Sequence, residues 1–192
     1  MRKDFRTPLK YPRVKTYIGL FRGINVVGRR IVPMKNLRLA LEEAGCGDVR
    51  TYIQSGNVVF RSACDAAHLS TQLAAAVSRS HGFEPRVLVR TPAELERAAA
   101  GNPFLEADDD PKSLHLFFLD TPAKRPDLRS LEALKTHTER FVLKGRIFYL
   151  HTPDGFGTSK LARRVERLLG VDATARNWRT VKTLIAMAKE SG

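Results

Sequence analysis

The chain has 192 residues, and 33 lysines and arginines against 20 aspartates and glutamates give it a formal charge of +13. A hydrophobic fraction of 43% is enough for a buried core, and the length suits one large domain or two small halves. No run approaches the roughly 18 apolar residues of a membrane helix, and no apolar stretch follows the basic N-terminus. These features exclude a membrane-spanning chain and predict a cytoplasmic protein without a secretory signal.

The cysteine content points the same way. Cys46 and Cys64 are the two cysteines, and they form no CxxC motif and have no metal-ligand spacing with the histidines. We therefore expect two reduced thiols, no metal site and no cofactor.

The positive charge is concentrated at the two ends of the chain. Residues 1–15 hold six basic and one acidic residue, and residues 158–192 hold eight basic and three acidic residues. Such a field attracts phosphates and nucleic acid. Genomic base bias toward arginine explains the same excess without any partner, so charge alone leaves the partner open.

Residues 1–14 contain Pro8 and Pro12, show no apolar period and are predicted to form a disordered basic tail. Val14 directly precedes the first strand signal, and a GTG start codon is written as valine when a gene is translated codon by codon. A mis-assigned start is therefore the alternative, in which residues 1–13 are not translated.

The first half, residues 15–105, alternates strand and helix signals. An apolar run at 16–21 predicts a buried strand, and apolar residues spaced i, i+3, i+4 and i+7 from Leu37 form the stripe of a helix. The elements that follow are strands at 49–54 and 57–62 joined by Ser55-Gly56, a helix between Asp65 and Gly82, a strand at 86–90, and a helix from the Thr91 capping box to Gly101. The order βαββαβ is the ferredoxin-like, or split βαβ, arrangement.

An acidic linker at 106–112 leads into the second half, residues 113–192. The predicted elements are a strand at 114–119, a short helix from Pro126, a hairpin of 140–143 and 146–151, a helix from Leu161 to Gly170, and a last helix from about Asn177. The order βαββα repeats that of the first half, with a C-terminal helix in place of the sixth strand. The predicted fold class is therefore α+β with two ferredoxin-like halves.

The loop after the first strand is the first candidate site. Gly23 and Gly28 have the spacing of a phosphate-binding loop, but Arg29-Arg30 replaces the required Lys-Ser/Thr pair. Backbone donors and positive charge before a helix still favour an anion. Arg22 and Asn25 add side-chain donors. The alternative is a plain connector with two turn glycines.

Two further candidates are hairpin and loop segments. Gln54-Ser55-Gly56-Asn57 is more polar than a hairpin turn needs, and it would form one polar rim with the first loop if the two lie side by side. Asp154–Lys160 is glycine-rich and opens a helix, with Ser159 as a possible cap and Lys160 in the first turn. This geometry also suits an anion, although an ordinary capped helix explains it equally well.

The last candidate surrounds the single tryptophan. Trp178, flanked by Arg176 and Arg179, could stack a base while the arginines hold phosphates. A lone tryptophan at a helix start more often anchors a core. No HExxH, GxSxG or Cys-His signature is present, so whether the chain is an enzyme stays open.

Several blocks of the chain together resemble the bacterial family called domain of unknown function 1697. These blocks are Tyr17–Gly28, Val32–Met34, Val49–Phe60, Asn102–Phe104, Ser159–Leu161 and Thr174–Val181. The resemblance spans residues 15 to about 189 and implies a cytoplasmic α+β protein with ferredoxin-like halves, but no activity. Val27 stands where the family usually has glycine, which stiffens the first loop, and Ala175 stands where it usually has threonine.

These observations lead to three hypotheses. The first is that a small anionic or phosphorylated ligand binds between the halves, and its site residues are Arg22, Gly23, Asn25, Gln54, Ser55, Gly56, Asn57, Ser159, Lys160, Arg176, Asn177 and Trp178. The second is a nucleic-acid-binding module that uses the basic termini. The third is a structural or protein-interaction domain without a ligand. The sequence leaves the oligomeric state open.

Overall fold

The computed structural model describes residues 14–26, 30–105 and 110–191. Residues 1–13 of the predicted tail at 1–14, the loop residues 27–29, the linker residues 106–109 and Gly192 lie outside this range. The first half consists of β1 (Lys15–Arg22), α1 (Met34–Glu43), β2 (Gly47–Tyr52), β3 (Asn57–Ser62), α2 (Ala66–His81) and β4 (Arg86–Arg90). Its antiparallel sheet has the strand order β2-β3-β1-β4, which is that of a split βαβ unit. The predicted order βαββαβ is confirmed.

The second half has the same architecture and one strand more than predicted. It consists of β5 (Leu114–Leu119), α4 (Leu128–Leu134), β6 (Arg140–Lys144), β7 (Ile147–His151), α5 (Val165–Leu169), β8 (Ala173–Asn177) and α6 (Trp178–Glu190). The sheet order β6-β7-β5-β8 matches that of the first half. The α+β class with two ferredoxin-like halves is thus confirmed, but the prediction of no strand before the last helix is wrong. The sequence pattern did not predict β8 because the buried face of this strand carries Thr174 and Arg176 in place of apolar residues.

Each sheet packs one face against its own pair of helices. In the first half, α1 and α2 cover β1 and β3, with Leu37 and Leu73 buried against Phe60. In the second half, α4 and α5 cover β5 and β7, with Leu131 and Leu169 completing that core. The apolar face of each helix therefore packs against the alternate strand residues that point to the same side of the sheet, as the sequence pattern predicts.

The other faces of the two sheets share a middle core that joins the halves. It contains Ile18 and Leu20 of β1, Leu116 and Phe118 of β5, and Trp178 of α6. Helix α3 (Pro92–Ala100) and α6 pack against each other within this layer. Although α6 belongs to the second half, it also contacts β1 and β3 of the first sheet. This middle layer positions the polar residues described below.

Local capping signals explain where several helices begin. Asp65 accepts a hydrogen bond from the backbone N–H of His68, and Thr91 forms the predicted capping box with Glu94.

Among the described residues, no helix is both long and apolar enough to cross a membrane.

Candidate functional site

Arg22, at the end of β1, forms ion pairs with the second half. Its guanidinium lies 2.6 Å from Glu166 and 3.2 Å from Asp172. Arg86 of β4 pairs with the other oxygen of Asp172. The charge of Arg22 is therefore balanced by protein carboxylates, and its contacts join the two halves.

The first loop and the β2–β3 hairpin turn do lie side by side. Asn25, in a left-handed conformation with φ of 55°, donates from Nδ2 to the carbonyls of Val32 (2.9 Å) and Gln54 (2.8 Å). Its Oδ1 accepts from the Val32 N–H at 2.7 Å. Gly23 has φ of +74°, which suits glycine. The Asn25 side chain thus fastens the loop to the turn and has its polar atoms occupied.

The hairpin turn itself is packed tightly. Asn57 is fully buried and donates to Tyr52 O (3.2 Å) and Ser55 Oγ (2.9 Å). Gly56 has φ of +71°, and a Cβ there would lie within 2.7 Å of Phe21 Cβ and 2.6 Å of Ile24 Cδ1. Glycine is therefore required at this position for both conformation and space.

Arg176, on β8, is buried and reaches across to the first half. Its Nε donates to Asn57 Oδ1, and its Nη2 donates to Phe21 O (2.7 Å) and Ser55 O (3.2 Å). Its Nη1 donates to Ala175 O at 2.8 Å. Burial lowers the pKa of Arg176 to about 10. Among the described residues it pairs with no carboxylate, and its acceptors are three carbonyl and amide oxygens of the first half together with Ala175 O.

The other candidates lie apart from this junction or serve as local caps. Asn177 Oδ1 accepts from Thr180 N at 2.8 Å and caps α6, and Trp178 is only 5% exposed in the middle core. Ser159 is buried, and its Oγ accepts from Ala162 N at 3.0 Å. Lys160 is exposed.

Ser159 and Lys160 do not share an end of the second sheet with Arg22. Their loop follows β7 near Leu114, at the start of β5, whereas Asp172 lies beside Leu119, at the end of β5. These two ends are about 17 Å apart at the rise of a strand. The structure therefore brings together Arg22, Gly23, Asn25, the 54–57 turn and Arg176, but not Ser159 or Lys160.

An open groove runs along the Arg22 ion pairs between the halves. Its three cavities measure about 500, 300 and 510 Å3. Four arginines and four carboxylates line it: Arg22, Arg30, Arg86, Arg167, Glu84, Asp120, Glu166 and Asp172. The charges of these described lining residues cancel, so together they give an anion no net attraction.

A second cavity between the halves has a different charge. It measures about 300 Å3, and Phe118, Ile147 and Tyr149 contribute apolar lining. Its charged lining residues are four cations and one carboxylate, namely Arg90, Arg97, Lys144, Arg146 and Glu94. Sequence reasoning missed this cavity because no motif marks it and its cations come from β4, α3 and the β6–β7 hairpin.

Arg90 forms the inner part of this cavity. It is 8% exposed and donates to Val89 O (2.9 Å) and Leu119 O (2.8 Å). Burial, followed by the positive charge of Arg146, lowers the pKa of Arg90. An arginine at the end of a buried strand was visible in the sequence, but its counterpart in the second half was hidden because β8 had not been recognised.

A residue of the 154–160 loop packs on a buried histidine. Phe156 stacks on His115 with ring centroids 3.8 Å apart, and His115 Nδ1 has no hydrogen-bond partner among the described residues. No cluster of three or more potential metal-ligating side chains occurs in the described part of the chain.

We expect His115 to make the fold sensitive to mild acid. Burial lowers its pKa to about 4, so between pH 6.5 and 4 the unfolded chain binds a proton there that the folded chain does not. Stability is therefore lost as the pH falls through this window, by about 2 kcal/mol between pH 7.5 and pH 5. Urea unfolding at both pH values should show a smaller loss for His115→Leu than for the wild type. Equal losses would contradict the assignment.

Comparison with known proteins identifies relatives but no activity. A family model described as "Protein of unknown function (DUF1697)" matches residues 14–149. The solved structure of the conserved bacterial protein SP0830 from Streptococcus pneumoniae is similar, with a TM-score of 0.69 and 24% identity, over 92% of this chain and 99% of that one. This similarity concerns the fold. No curated protein matches the chain.

Proposed function

This chain belongs to the DUF1697 family, whose function is unknown, and we propose from its geometry that it binds a small anion between its two halves. The observation that carries this proposal is the charge of the Arg90 cavity. Four cations and one carboxylate line it among the residues that the structure describes, which gives this lining a net charge of +3 in a space of about 300 Å3.

The four cations of the cavity outnumber the carboxylates near them, which are Glu94 in its lining and Asp120, whose charge also acts on Arg90. Lys144 Nζ donates to Gly101 O at 2.9 Å, and Arg146 donates to Asp120 O, so both contact carbonyls rather than carboxylates. Arg97 is exposed, and its side chain has no hydrogen-bond or ion-pair partner among the described residues. Like charges held together repel each other, and an anion in the cavity would relieve that repulsion.

The size of the cavity favours a small molecule over a polymer. About 300 Å3 is at the lower end of the range for small-molecule pockets. Trp178 is buried in the middle core and is not exposed for stacking on a base, which counts against the nucleic-acid hypothesis. Clefts between structural units are common positions for ligands.

The Arg90 cavity is lined by other residues than those that the sequence suggested as ligand contacts. Arg22 is paired with Glu166 and Asp172, and Arg176 donates to oxygens of the first half. We assign these residues to holding the halves together. We assign the ligand contacts to Arg90, Arg97 and Arg146.

Thermal unfolding of the full chain with sodium phosphate or phenyl phosphate, at constant ionic strength, tests the proposal. At a concentration about ten times Kd, a ligand stabilises the folded state by about 1.4 kcal/mol. For a chain of this size that raises Tm by about 3–5 °C. The double variant Arg97→Ala/Arg146→Ala should lose most of the shift.

A charge-matched control separates site binding from general attraction. Arg79 and Arg129 are exposed on α2 and α4, in the outer helical layers, so Arg79→Ala/Arg129→Ala removes the same charge elsewhere. This variant should keep the full shift. Equal losses in both double variants, or no shift with either probe in the wild type, would overturn the proposal. Tight binding of single-stranded RNA at physiological salt would favour the nucleic-acid alternative.

A further inference from the structure

The two halves place an arginine at equivalent positions of their fourth strands. In the first sheet, Arg90 of β4 lies opposite Ile18 of β1. In the second sheet, Arg176 of β8 lies opposite Leu116 of β5. Ile18 and Leu116 both face the middle core, so the two arginines correspond under the internal repeat.

Two hydrogen bonds are the same at both positions. Each arginine donates from Nη1 to the carbonyl of the residue before it, at 2.9 Å for Arg90 and 2.8 Å for Arg176. Each also donates from Nη2 to the end of the first strand of the opposite half, at Leu119 O (2.8 Å) and Phe21 O (2.7 Å) respectively. The shared pattern shows that the repeat extends to the orientation of both guanidinium groups.

The remaining hydrogen bonds are present only around Arg176. Its Nε donates to Asn57 Oδ1, and a second Nη2 hydrogen reaches Ser55 O at 3.2 Å. Four of its five N–H groups are therefore satisfied. Arg90 uses only two of its five, since its Nε donates to no described residue.

The register of the sheets explains why these acceptors are absent at Arg90. Asn57 of β3 lies opposite Leu20, and the equivalent pair in the second sheet is Ile147 opposite Phe118. Ile147 has an aliphatic side chain and cannot accept a hydrogen bond. The acceptor that Asn57 offers to Arg176 thus has no counterpart beside Arg90, and Arg90 and Ile147 both line the cavity.

We propose that Arg90 binds the oxyanion group of a phosphate monoester in the cavity, through the Nε and Nη hydrogens that donate to no described residue. This inference rests on the proposed function and identifies its anchor and its ligand class. A planar guanidinium presents paired donors that match two oxygens of a carboxylate or a phosphate.

The charge of the cavity favours a doubly charged group. Arg97, Lys144 and Arg146 line the cavity together with Arg90. The carboxylates whose charges act on Arg90 are Asp120 and Glu94, and Glu94 already accepts from the Thr91 N–H at 2.8 Å. A phosphate monoester carries about −1.5 to −2 at pH 7, whereas a carboxylate carries −1. We therefore expect inorganic phosphate and phenyl phosphate to bind more tightly than acetate.

The difference between the two arginines suggests a direct test. Ile147→Asn recreates the acceptor of Asn57 beside Arg90, so the protein itself would compete with the ligand for the donors of Arg90. Calorimetric titration with inorganic phosphate should show affinity reduced by about tenfold or more relative to the wild type, in a variant that still unfolds cooperatively. Ile147→Val removes volume without adding an acceptor and should bind within about threefold of the wild type.

Arg90→Lys provides a second, independent variant. It keeps the positive charge but removes the paired donors, so it should also weaken phosphate binding by about tenfold. Wild-type affinity in Arg90→Lys, or in a folded Ile147→Asn, would overturn the inference. If those variants bind normally while Arg97→Ala/Arg146→Ala does not, anion binding stands and only the Arg90 anchor is wrong. A wild type that binds no phosphate probe overturns both.

Discussion

Replacing Arg176 by methionine is expected to lower the free energy of unfolding by about 3–5 kcal/mol. Methionine has a similar length but no N–H groups. It would leave Asn57 Oδ1, Phe21 O and Ser55 O without the donor that Arg176 supplies. Each unsatisfied buried acceptor costs about 1–3 kcal/mol, and the missing contacts also join the two halves.

Urea denaturation followed by circular dichroism would measure this loss. Arg179→Met is the matched control, because Arg179 is exposed three residues further along and its side chain has no bond to a described residue. We expect the control to change stability by less than about 0.5 kcal/mol. A loss for Arg176→Met no greater than that of the control would show that the buried guanidinium does not hold the halves together.

Replacing Trp178 by alanine is expected to cost about 3–5 kcal/mol of stability. Trp178 is 5% exposed and packs in the middle core, which also contains Leu20 and Phe118. Removing the indole opens a cavity between the two sheets that the fixed strands cannot close. The loss should therefore appear in the cooperative unfolding of both halves together.

This substitution also separates the core role of Trp178 from a base-stacking role. Leu39→Ala is a suitable control, because Leu39 lies on α1 and is 43% exposed, and it should cost less than about 0.5 kcal/mol. A stacking platform would instead show a small stability loss for Trp178→Ala together with weakened binding of single-stranded RNA. That result would restore the nucleic-acid hypothesis.

The residues that carry the family resemblance at the inter-half junction contact protein groups. Asn25 fastens the first loop to the hairpin turn, Asn57 accepts from Arg176, and Arg22 pairs with Glu166 and Asp172. The net positive cavity lies instead around Arg90, outside the blocks that carry the resemblance. We therefore expect substitutions at the junction to act on stability and substitutions around Arg90 to act on anion binding.

The sequence by itself determined the features that depend on neighbours along the chain. The strand at 16–21, the capping box at Thr91 and the glycine at position 56 follow from residue periodicity, local hydrogen bonding and left-handed backbone geometry. For this reason the split βαβ order of the first half could be predicted in full.

Only the tertiary structure decided which residue each charged or polar side chain meets. Arg22 finds its partners 144 and 150 positions away, and Arg176 donates to Asn57 119 positions away. Strand β8 was equally hidden, because its buried face is stabilised by hydrogen bonds to the other half rather than by apolar side chains. A sequence pattern records the surroundings within a few residues, whereas the partners of a buried arginine depend on how two sheets pack. The contrast between Arg90 and Arg176 therefore became visible only when both sheets were in place.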